Sequence, residues 1–432
     1  MKNIDAKKVL TIFTLCILLI IPFLRILSFY LQYYNVINNY DSINIAIILY
    51  ISIPFLLYTY VYNIIKTKKL NYYDYIFFLF ILIGILVCMF SINKNISIFG
   101  KDYRHGGFLT LFTYFLLVVN WIRYGNKLDI SRFIKLLIII SVINSIYALF
   151  QIYMPFSFII GYGLDTNMAC GILGNPNFFG SYIVTVLSIV TYEYLIENKK
   201  NISLIILFFI SLVNCQSTGP LLTYVLVYIL ILILCFNKIK VKKYLKLLFI
   251  LIVTCVMTLS LNYLLVDVFK VNIKNNSTFR CEICDIKKNC KSIDNGRIDI
   301  WKNSLKIVKK YPVLGVGYDN LYLAYPNKPK ESVVFSITNS AVSKNALRGN
   351  VIVDNTHNMY LNALVSSGIL GVIPFIILLA ITFFKGLKQK NKILFFAFVA
   401  FSIQGFSNIN MLTTTPIYFI IIGFILSAEC QN

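Results

Sequence analysis

One histidine stands at a boundary between polar and apolar sequence. The segment DNTHNMYLNALVSSGILG, residues 354–371, places His357 just before a long apolar run, and the whole chain has only 2 histidines. An imidazole titrates near neutral pH, so it can take a proton from a hydroxyl group and make that group nucleophilic. We therefore interpret His357 as a candidate general base. The alternative is that His357 caps the helix that follows it.

A candidate anion-binding residue lies earlier in the chain. The segment DNGRIDIWKNSLKIVKKYP, residues 294–312, predicts an amphipathic helix over residues 295–311. The apolar stripe of this helix is Ile298, Trp301, Leu305 and Val308. We expect the stripe to lie on the membrane, with Trp301 at the lipid interface. Arg297 falls in the first turn, where a cation opposes the helix dipole unless it holds an anion such as phosphate. A solvated arginine is the alternative.

A second group of cations lies in the segment NKNISIFGKDYRHGG, residues 93–107. Lys101 and Arg104 are further candidates for binding the anion, because their side chains suit phosphate oxygens. His105 is a candidate partner, although in so short a loop we expect a surface histidine. Asp354 is a candidate to orient the base, and a solvated loop acid is an equal alternative.

Three cysteines lie close together in the segment CEICDIKKNC, namely Cys281, Cys284 and Cys290. Three thiols with no nearby histidine make an incomplete zinc site, and a disulfide fits the spacing at least as well. We interpret the group as a local staple and predict no metal in the active site. The sequence also has no phosphate-binding loop, dinucleotide-binding fingerprint or paired-carboxylate signature, and it therefore predicts no cofactor.

The elements that must position these residues are membrane helices. Of the 432 residues, 58% are hydrophobic and 13% are charged, which is far from the composition of soluble domains. Apolar runs of roughly 20 residues, the length that spans a bilayer, recur along the chain. Their centres are Leu18, Ser52, Ile83, Phe115, Ile140, Val186, Phe208, Tyr228, Val253, Ile373, Ala400 and Ile421. The prediction is an all-α polytopic bundle of about twelve transmembrane helices, whose first apolar run is not a cleaved signal sequence.

The distribution of lysine and arginine predicts the orientation. With the N-terminus in the cytoplasm, every inside loop is basic. The short outside connections without lysine or arginine are 32–42, 154–177, 215–220 and 408–416. Both termini are therefore predicted to be cytoplasmic. The formal net charge of +23 mostly reflects this topology, so we predict no nucleic-acid partner.

The predicted topology divides the chain into three parts. Residues 1–266 hold transmembrane helices one to nine, residues 267–356 form an extracytoplasmic loop with the amphipathic helix, and residues 357–432 hold the last three helices. Loops longer than about 15 residues in a compact protein usually have a function. Because this loop and residues 93–107 carry an excess of cations, we expect the outer face to bind something anionic.

Together these features resemble the O-antigen ligase family. The segment GRIDIWKNSLKIVKKYPVLGVGYDN, residues 296–320, is followed by His357, Asn358, nine residues and then Gly368-Ile-Leu-Gly371. This order is similar to the signature of that family, which has histidine, a polar residue, nine residues and G-x-x-G after a long outer loop. The resemblance implies that His357 is catalytic, that Asn358 helps to bind substrate and that both glycines support the site.

Two other segments bear on the resemblance. The segment GILGNPNFFGSYI, residues 171–183, is similar to an outer segment that precedes a membrane helix in the family. In NCQSTGP, Thr218 stands where many members have an arginine after a serine. Either Arg104 or a lysine of the outer loop replaces that cation, or this chain handles its donor differently.

The resemblance implies a metal-independent glycosyltransferase in the bacterial cytoplasmic membrane. It would transfer a glycan from undecaprenyl pyrophosphate to a hydroxyl group of a glycan, lipid or protein acceptor on the outer face. Such a reaction belongs to the synthesis of cell-envelope polysaccharides, including lipopolysaccharide. A repeat-unit polymerase of the same superfamily uses the same chemistry and stays an alternative. A transporter of the lipid-linked glycan is another, but few ionisable residues lie at mid-membrane and no inverted repeat is evident.

Overall fold

The structure is a computed structural model that describes residues 5–20, 43–101, 104–153, 168–264, 297–325 and 353–427. All regular secondary structure in these ranges is helical, which confirms the predicted all-α membrane class. The helices are α1 (Ala6–Leu15), α2 (Ile43–Thr67), α3 (Tyr72–Met89), α4 (Lys94–Phe99), α5 (Phe108–Tyr124), α6 (Lys127–Tyr153), α7 (Pro176–Leu195), α8 (Ile202–Asn214), α9 (Thr218–Cys235), α10 (Val241–Tyr263), α11 (Arg297–Lys310), α12 (Leu321–Ala324), α13 (Met359–Lys388), α14 (Ile393–Gln404) and α15 (Thr415–Leu426). Short π or 3₁₀ turns occur at Cys16–Ile20, Gly171–Leu173 and Phe236–Lys238.

Every predicted apolar centre falls within one of these helices or, for Leu18, within the π turn after α1. In the described ranges, 7 helices are long and apolar enough to cross a membrane. They are Ala46–Thr67, Tyr72–Met89, Lys127–Tyr153, Pro176–Leu195, Thr218–Lys238, Val241–Tyr263 and Met359–Lys388. Helices α5, α8, α14 and α15 are apolar but shorter. The exact number of spans and the orientation stay predictions.

Contacts divide the chain into two compact units. The first comprises Met1–Gly125, Asp294–Phe384 and Gly405–Ala428. The second comprises Asn126–Ile293, Lys385–Gln404 and Glu429–Asn432. Each unit thus combines segments that are far apart in sequence, whereas the predicted division at residues 266 and 356 follows the order of the chain and stays a prediction of topology.

Helix α5 is the central element of the first unit. Its residues from Thr113 to Ile122 are buried, as expected for a helix that is apolar on all sides, and it packs against α2 and α15. At its end Arg123 forms an ion pair with Asp74, and the hydroxyl of Tyr60 donates to the same carboxylate at 2.8 Å. The Arg123 and Asp74 side chains are only 4% and 1% exposed. This buried pair therefore ties α2, α3 and α5 together.

The second unit is built around α7. Asn175 caps this helix by accepting a hydrogen bond from the backbone N–H of Asn177 at 2.9 Å, and Pro176 occupies its first position. Helix α7 packs against α8, α9 and α14. Within this bundle Gln404 accepts from Ser181 at 3.0 Å and donates to Thr223 at 3.0 Å. Such side-chain bonds link helices where apolar surroundings leave polar groups no other partner.

The apolar run after the candidate base differs from the single membrane helix that the sequence predicts. Helix α13 is broken at Gly368, which has φ 63° and ψ −170°, so a short segment ends at Ser367 and a longer one begins at Ile369. The residues around the break bond to the segment Pro312–Gly317 instead. Ile369 N–H donates to the Pro312 carbonyl at 2.9 Å, and Leu370 N–H donates to the next carbonyl at 3.2 Å. The break therefore leaves these backbone groups satisfied.

Helix α11 lies within the helix predicted over residues 295–311, of which residues 295 and 296 lie outside the described ranges. Two residues of the predicted apolar stripe are exposed, so their position on the membrane stays a prediction. Ile298 and Leu305 are 49% and 48% exposed, whereas Ile307 is buried. Ile307 packs with Val316, Leu321 and Val365, and Val308 and Tyr311 pack against the same cluster. The residues after Pro312 pack against the face of the helix that carries Ile307, which is next to the predicted stripe.

Candidate active site

His357 occupies a tight turn just before α13. Its backbone N–H donates to Oδ1 of Asn355 at 3.1 Å, and the hydroxyl of Thr356 donates to the Asn358 carbonyl at 2.8 Å. His357 itself has φ 51°, a left-handed conformation that costs a non-glycine residue about 1 kcal/mol. Side-chain bonds on both sides therefore hold the histidine in a conformation that it would not adopt alone.

The residue that caps α13 is Asn358. Its Oδ1 accepts hydrogen bonds from the backbone N–H groups of Tyr360 and Leu361, both at 3.0 Å. The interpretation of His357 as the helix cap is therefore wrong. Asn358 is buried and its carbonyl oxygen is engaged in the cap, so its direct role in substrate binding stays a prediction without support from the geometry.

Three charged residues affect the His357 ring. Burial lowers the pKa of His357 below the usual value of 6.5; Asp354 raises it, and Arg104 and Arg297 lower it. The structure therefore brings together the candidate base, the candidate orienting acid and two of the candidate anion-binding cations. A lowered pKa keeps the ring neutral at neutral pH, which is the form that accepts a proton.

Asp354 pairs with Arg104. Nε of Arg104 lies 2.8 Å from Oδ2 of Asp354, with the two side chains 19% and 12% exposed. Nη1 of Arg104 also approaches Sδ of Met411 at 3.6 Å. The interpretation of Asp354 as a solvated loop acid is therefore wrong, since its carboxylate is mostly buried and neutralised by a cation.

The turn that carries Arg104 differs from the exposed loop that the sequence predicts. The N–H groups of Arg104 and His105 both donate to the Lys101 carbonyl, at 3.1 and 2.8 Å. His105 is buried, with φ 46°, so its predicted surface position is wrong. Nζ of Lys101 lies 4.1 Å from the centre of the Tyr322 ring, a cation–π contact, and Lys101 is not among the charges that shift the pKa of His357.

Helix α11 reaches the histidine turn through Trp301. The indole Nε1 of Trp301 donates to the Thr356 carbonyl at 2.9 Å, one residue before the histidine. Trp301 is half-buried, and its predicted position at the lipid interface stays a prediction. Arg297, the first residue of α11 in the described ranges, is half-buried and lies one helical turn from Trp301. This contact explains why Arg297 lies close enough to shift the pKa of His357.

A cavity of about 840 Å³, including the space at its opening, lies in the same unit. The polar residues that line it are Arg104, Thr110, Asp319, Asn355, Asn362, Ser366, Ser367 and Asn410. Its aromatic lining consists of Phe80, Tyr114, Phe115, Tyr318, Phe375 and Phe419. Asp319 is the residue that the sequence reasoning missed. The segment GVGYDN contains it, but one carboxylate there gives no sign of a partner more than 200 residues away.

The two glycines of the G-x-x-G segment have structural roles. A Cβ atom on Gly368 would lie 2.3 Å from the Val313 carbonyl oxygen, and one on Gly371 would lie 2.2 Å from Cβ of Ser367. On the other side, the N–H groups of Val316 and Gly317 donate to carbonyls of the first part of α13 at 3.0 and 2.9 Å. Gly368 therefore permits the close backbone contact that holds the segment before Asp319, and Gly371 leaves room for the side chain of Ser367.

Two other sequence interpretations fall outside this site. Thr218, which stands where many members of the family have an arginine, is the first residue of α9 in the second unit, and its relation to the donor is not tested. Cys281, Cys284 and Cys290 lie outside the described residues. The described residues contain no group of three or more His, Cys, Asp or Glu side chains that could hold a metal ion.

Comparison with known families gives one match. The family model described as O-antigen ligase matches residues 203–376, which include Arg297, His357, Gly368 and Gly371 but not Arg104. No curated protein matches the chain. The family predicted from the histidine signature is therefore confirmed over the part of the chain that carries that signature.

Proposed function

We propose that this chain, whose residues 203–376 match the O-antigen ligase family model, is a membrane glycosyltransferase that uses a lipid-linked donor. The donor is a glycan on undecaprenyl pyrophosphate, and the acceptor is a hydroxyl group. The reaction takes place on the outer face of the bacterial cytoplasmic membrane, with both termini in the cytoplasm. The direction of the lysine and arginine bias supports this orientation.

The observation that carries the proposal is the setting of His357. The ring is half-buried, its pKa is lowered by burial, and two arginines and one aspartate affect it electrostatically. A neutral imidazole beside fixed cations suits a reaction in which a hydroxyl loses its proton while an anion leaves. Neither the removal of the proton nor the stabilisation of the departing anion needs a nucleotide or a metal, because the pyrophosphate leaving group is already activated.

The reaction is a single displacement at the anomeric carbon. His357 takes the proton of the acceptor hydroxyl, and the acceptor oxygen forms a bond to that carbon. The bond between the carbon and the pyrophosphate oxygen breaks, and its electron pair stays on the undecaprenyl pyrophosphate. In this proposal Arg297 binds the pyrophosphate and neutralises the charge that develops. The proton on His357 then passes to solvent, which restores the base.

Arg104 has a different role in this proposal. Because it is paired with Asp354, its charge is already partly neutralised, and it acts mainly on the aspartate and on His357. Asp354 in turn stabilises the histidine when the ring carries the proton. The predicted pyrophosphate contact of Arg104 is limited to the guanidinium N–H groups that Asp354 does not use.

The cavity lining supports a glycolipid substrate. One part offers amide, hydroxyl and charged groups that can bond to sugar hydroxyls, and another offers aromatic rings. Oδ1 of Asn410 is buried without a hydrogen-bond partner among the described residues. A buried acceptor without a partner costs about 1–3 kcal/mol, and a sugar hydroxyl in the cavity would remove that cost.

A repeat-unit polymerase is the second candidate, because the family match covers the transfer chemistry that both reactions share. The test is to purify the full chain with a defined undecaprenyl-pyrophosphate glycan and to offer either a second lipid-linked unit or a lipid or protein acceptor. Product size distinguishes the outcomes. Loss of donor with no product on any acceptor would reject both, and movement of intact donor across vesicles without transfer would favour a transporter.

A further inference from the structure

Asp319 lies in a segment that is fixed on both sides. It has φ 55°, and its neighbours bond to the residues that follow α3. Tyr318 N–H donates to Oγ of Ser97 at 3.1 Å, and Nδ2 of Asn320 donates to the Asn93 carbonyl at 3.1 Å. Tyr318 is also buried against Phe108. The contacts of its neighbours therefore hold the backbone of Asp319 in place independently of the contacts that its carboxylate makes.

The carboxylate closes the turn that carries Arg104. Oδ2 of Asp319 accepts the backbone N–H of Lys101 at 3.1 Å and that of Gly106 at 2.7 Å. These two amides lie on either side of Arg104 in sequence. A Cβ atom on Gly106 would lie 2.7 Å from Oδ1 of Asp319, so only glycine permits this approach without a shift. One oxygen atom thus fixes both ends of a short turn.

Charge also argues that Asp319 does not contact the pyrophosphate of the donor. Burial raises its pKa, the two backbone hydrogen bonds and Arg104 lower it, and Asp354 raises it. A second carboxylate near the leaving group would repel pyrophosphate. The role of Asp319 is instead to hold the turn. Arg104 extends from that turn to Asp354, and both Arg104 and Asp354 act electrostatically on His357.

We propose that Asp319 is a positioning residue, whose carboxylate holds the backbone of Lys101 and Gly106 so that Arg104, between them in sequence, reaches Asp354 beside His357. Its effect on transfer rests on the proposed function. Its effect on the charges around His357 is independent of the proposed function, because those charges are a property of the protein without substrate. The charged groups that act electrostatically on His357 in this arrangement are Asp354, Arg104 and Arg297.

The first test measures the pKa of His357 directly. The full chain, labelled in its histidine rings and held in detergent micelles, has 2 histidines, and the signal lost in His357→Gln identifies the one to follow by NMR. Arg104→Ala removes a cation that lowers this pKa, so the pKa should rise. Asp319→Ala should raise it in the same direction, and the double variant should match Arg104→Ala alone.

Two further variants separate positioning from a general loss of structure. Asp319→Asn keeps an oxygen that can accept both N–H bonds, so the His357 pKa should stay close to that of the parent. Gly106→Ala adds a Cβ atom that should separate Gly106 from the Asp319 carboxylate, so this variant should also raise the pKa of His357. It tests the same contact if Asp319→Ala is too unstable to purify. Asp299→Ala, which removes an exposed carboxylate on α11, is the matched control and should leave the pKa unchanged.

The second test measures transfer. Asp319→Ala should lower kcat more than it raises the donor KM, and Asp319→Asn should recover most of the loss. The proposal is overturned if Arg104→Ala moves the His357 pKa while Asp319→Ala and Gly106→Ala leave it at the parental value. If the parent shows no transfer to any acceptor but the NMR shifts appear as expected, the proposed function fails and the positioning role stands.

Discussion

Nε of Arg104 and Oδ2 of Asp354 are 2.8 Å apart although 250 positions separate them in sequence. The pair joins the turn before α5 to the turn before α13. Since Asp354 raises the pKa of His357 and Arg104 lowers it, the two partners set the proton affinity of the candidate base in opposite directions.

Asp354→Asn should therefore shift the pH profile of transfer. Loss of the carboxylate removes the charge that raises the His357 pKa and leaves Arg104 unneutralised, so the pKa should fall. The base form would then persist to lower pH, and the acid limb of kcat against pH should move downward. Arg104→Ala should move the same limb upward. Shifts of the same sign in both variants would contradict this assignment of charges.

His357→Gln should abolish transfer. A general base contributes about 10²–10⁴-fold in rate, and glutamine keeps a polar side chain of similar size without a group that accepts the proton. In the parent, the acid limb of the pH profile should lie below 6.5, because burial lowers the pKa of His357. His105→Gln is the comparison: it should reduce thermal stability, because His105 is buried, but it should keep the acid limb. Near-parental transfer by His357→Gln would exclude proton abstraction.

Arg297→Ala should weaken the use of donor. A hydrogen bond to a charged group contributes about 1.5–3 kcal/mol, so the donor KM should rise roughly 10–100-fold. Arg297→Lys should recover only part of this, since a point charge replaces a two-pronged donor. Lys302→Ala removes an exposed cation from the same helix and serves as the control. Equal donor KM values for Arg297→Ala and Lys302→Ala would show that only the overall charge matters.

Breaking the buried pair should affect stability rather than chemistry. Asp74→Asn or Arg123→Met leaves one charge buried without its partner, which typically costs about 3–5 kcal/mol. Arg123 lies 15 residues beyond Phe108, roughly 22 Å along α5 from the turn that holds Arg104. Thermal unfolding in detergent should shift strongly downward while kcat at low temperature stays near that of the parent. A large loss of kcat in fully folded protein would contradict this separation.

Labelling of introduced cysteines tests the orientation. In a variant without the 10 native cysteines, Lys309→Cys on the exposed face of α11 should react with an impermeant thiol reagent in intact cells. Lys242→Cys, also exposed but in a predicted inside loop, should react only after permeabilisation. The reverse pattern would place the histidine turn on the cytoplasmic side and contradict the proposed reaction on the outer face.

The sequence predicted the parts of this site that depend on local pattern. Hydrophobic runs predict the positions of the helices, and the spacing around His357 predicts the family whose model matches residues 203–376. The bonds from Asp319 to Lys101 and Gly106 join positions more than 200 residues apart, and no local pattern encodes them. The break at Gly368 was missed for a related reason, because an apolar run looks continuous until a second segment satisfies its backbone.

The face of α11 shows the same limit in another way. Periodicity identified the helix and its apolar stripe with Ile298 and Leu305, which are exposed, but not the face that the protein buries. Long apolar side chains occur on both sides of this helix, so spacing alone cannot decide which side the protein covers. The segment that returns after Pro312 makes that choice, by packing Val316 against Ile307.

The bond from Trp301 to the Thr356 carbonyl supplies an optical signal inside the site. The chain has 2 tryptophans, and the other, Trp121, is buried in α5 with its indole bonded to Thr14 at 3.1 Å. In a Trp121→Phe background, light that excites tryptophan but not tyrosine would be absorbed by Trp301 alone. Its emission would then report on the surroundings of Thr356, the residue next to His357. Donor and acceptor binding could therefore be followed by titration without an added label and separately from turnover.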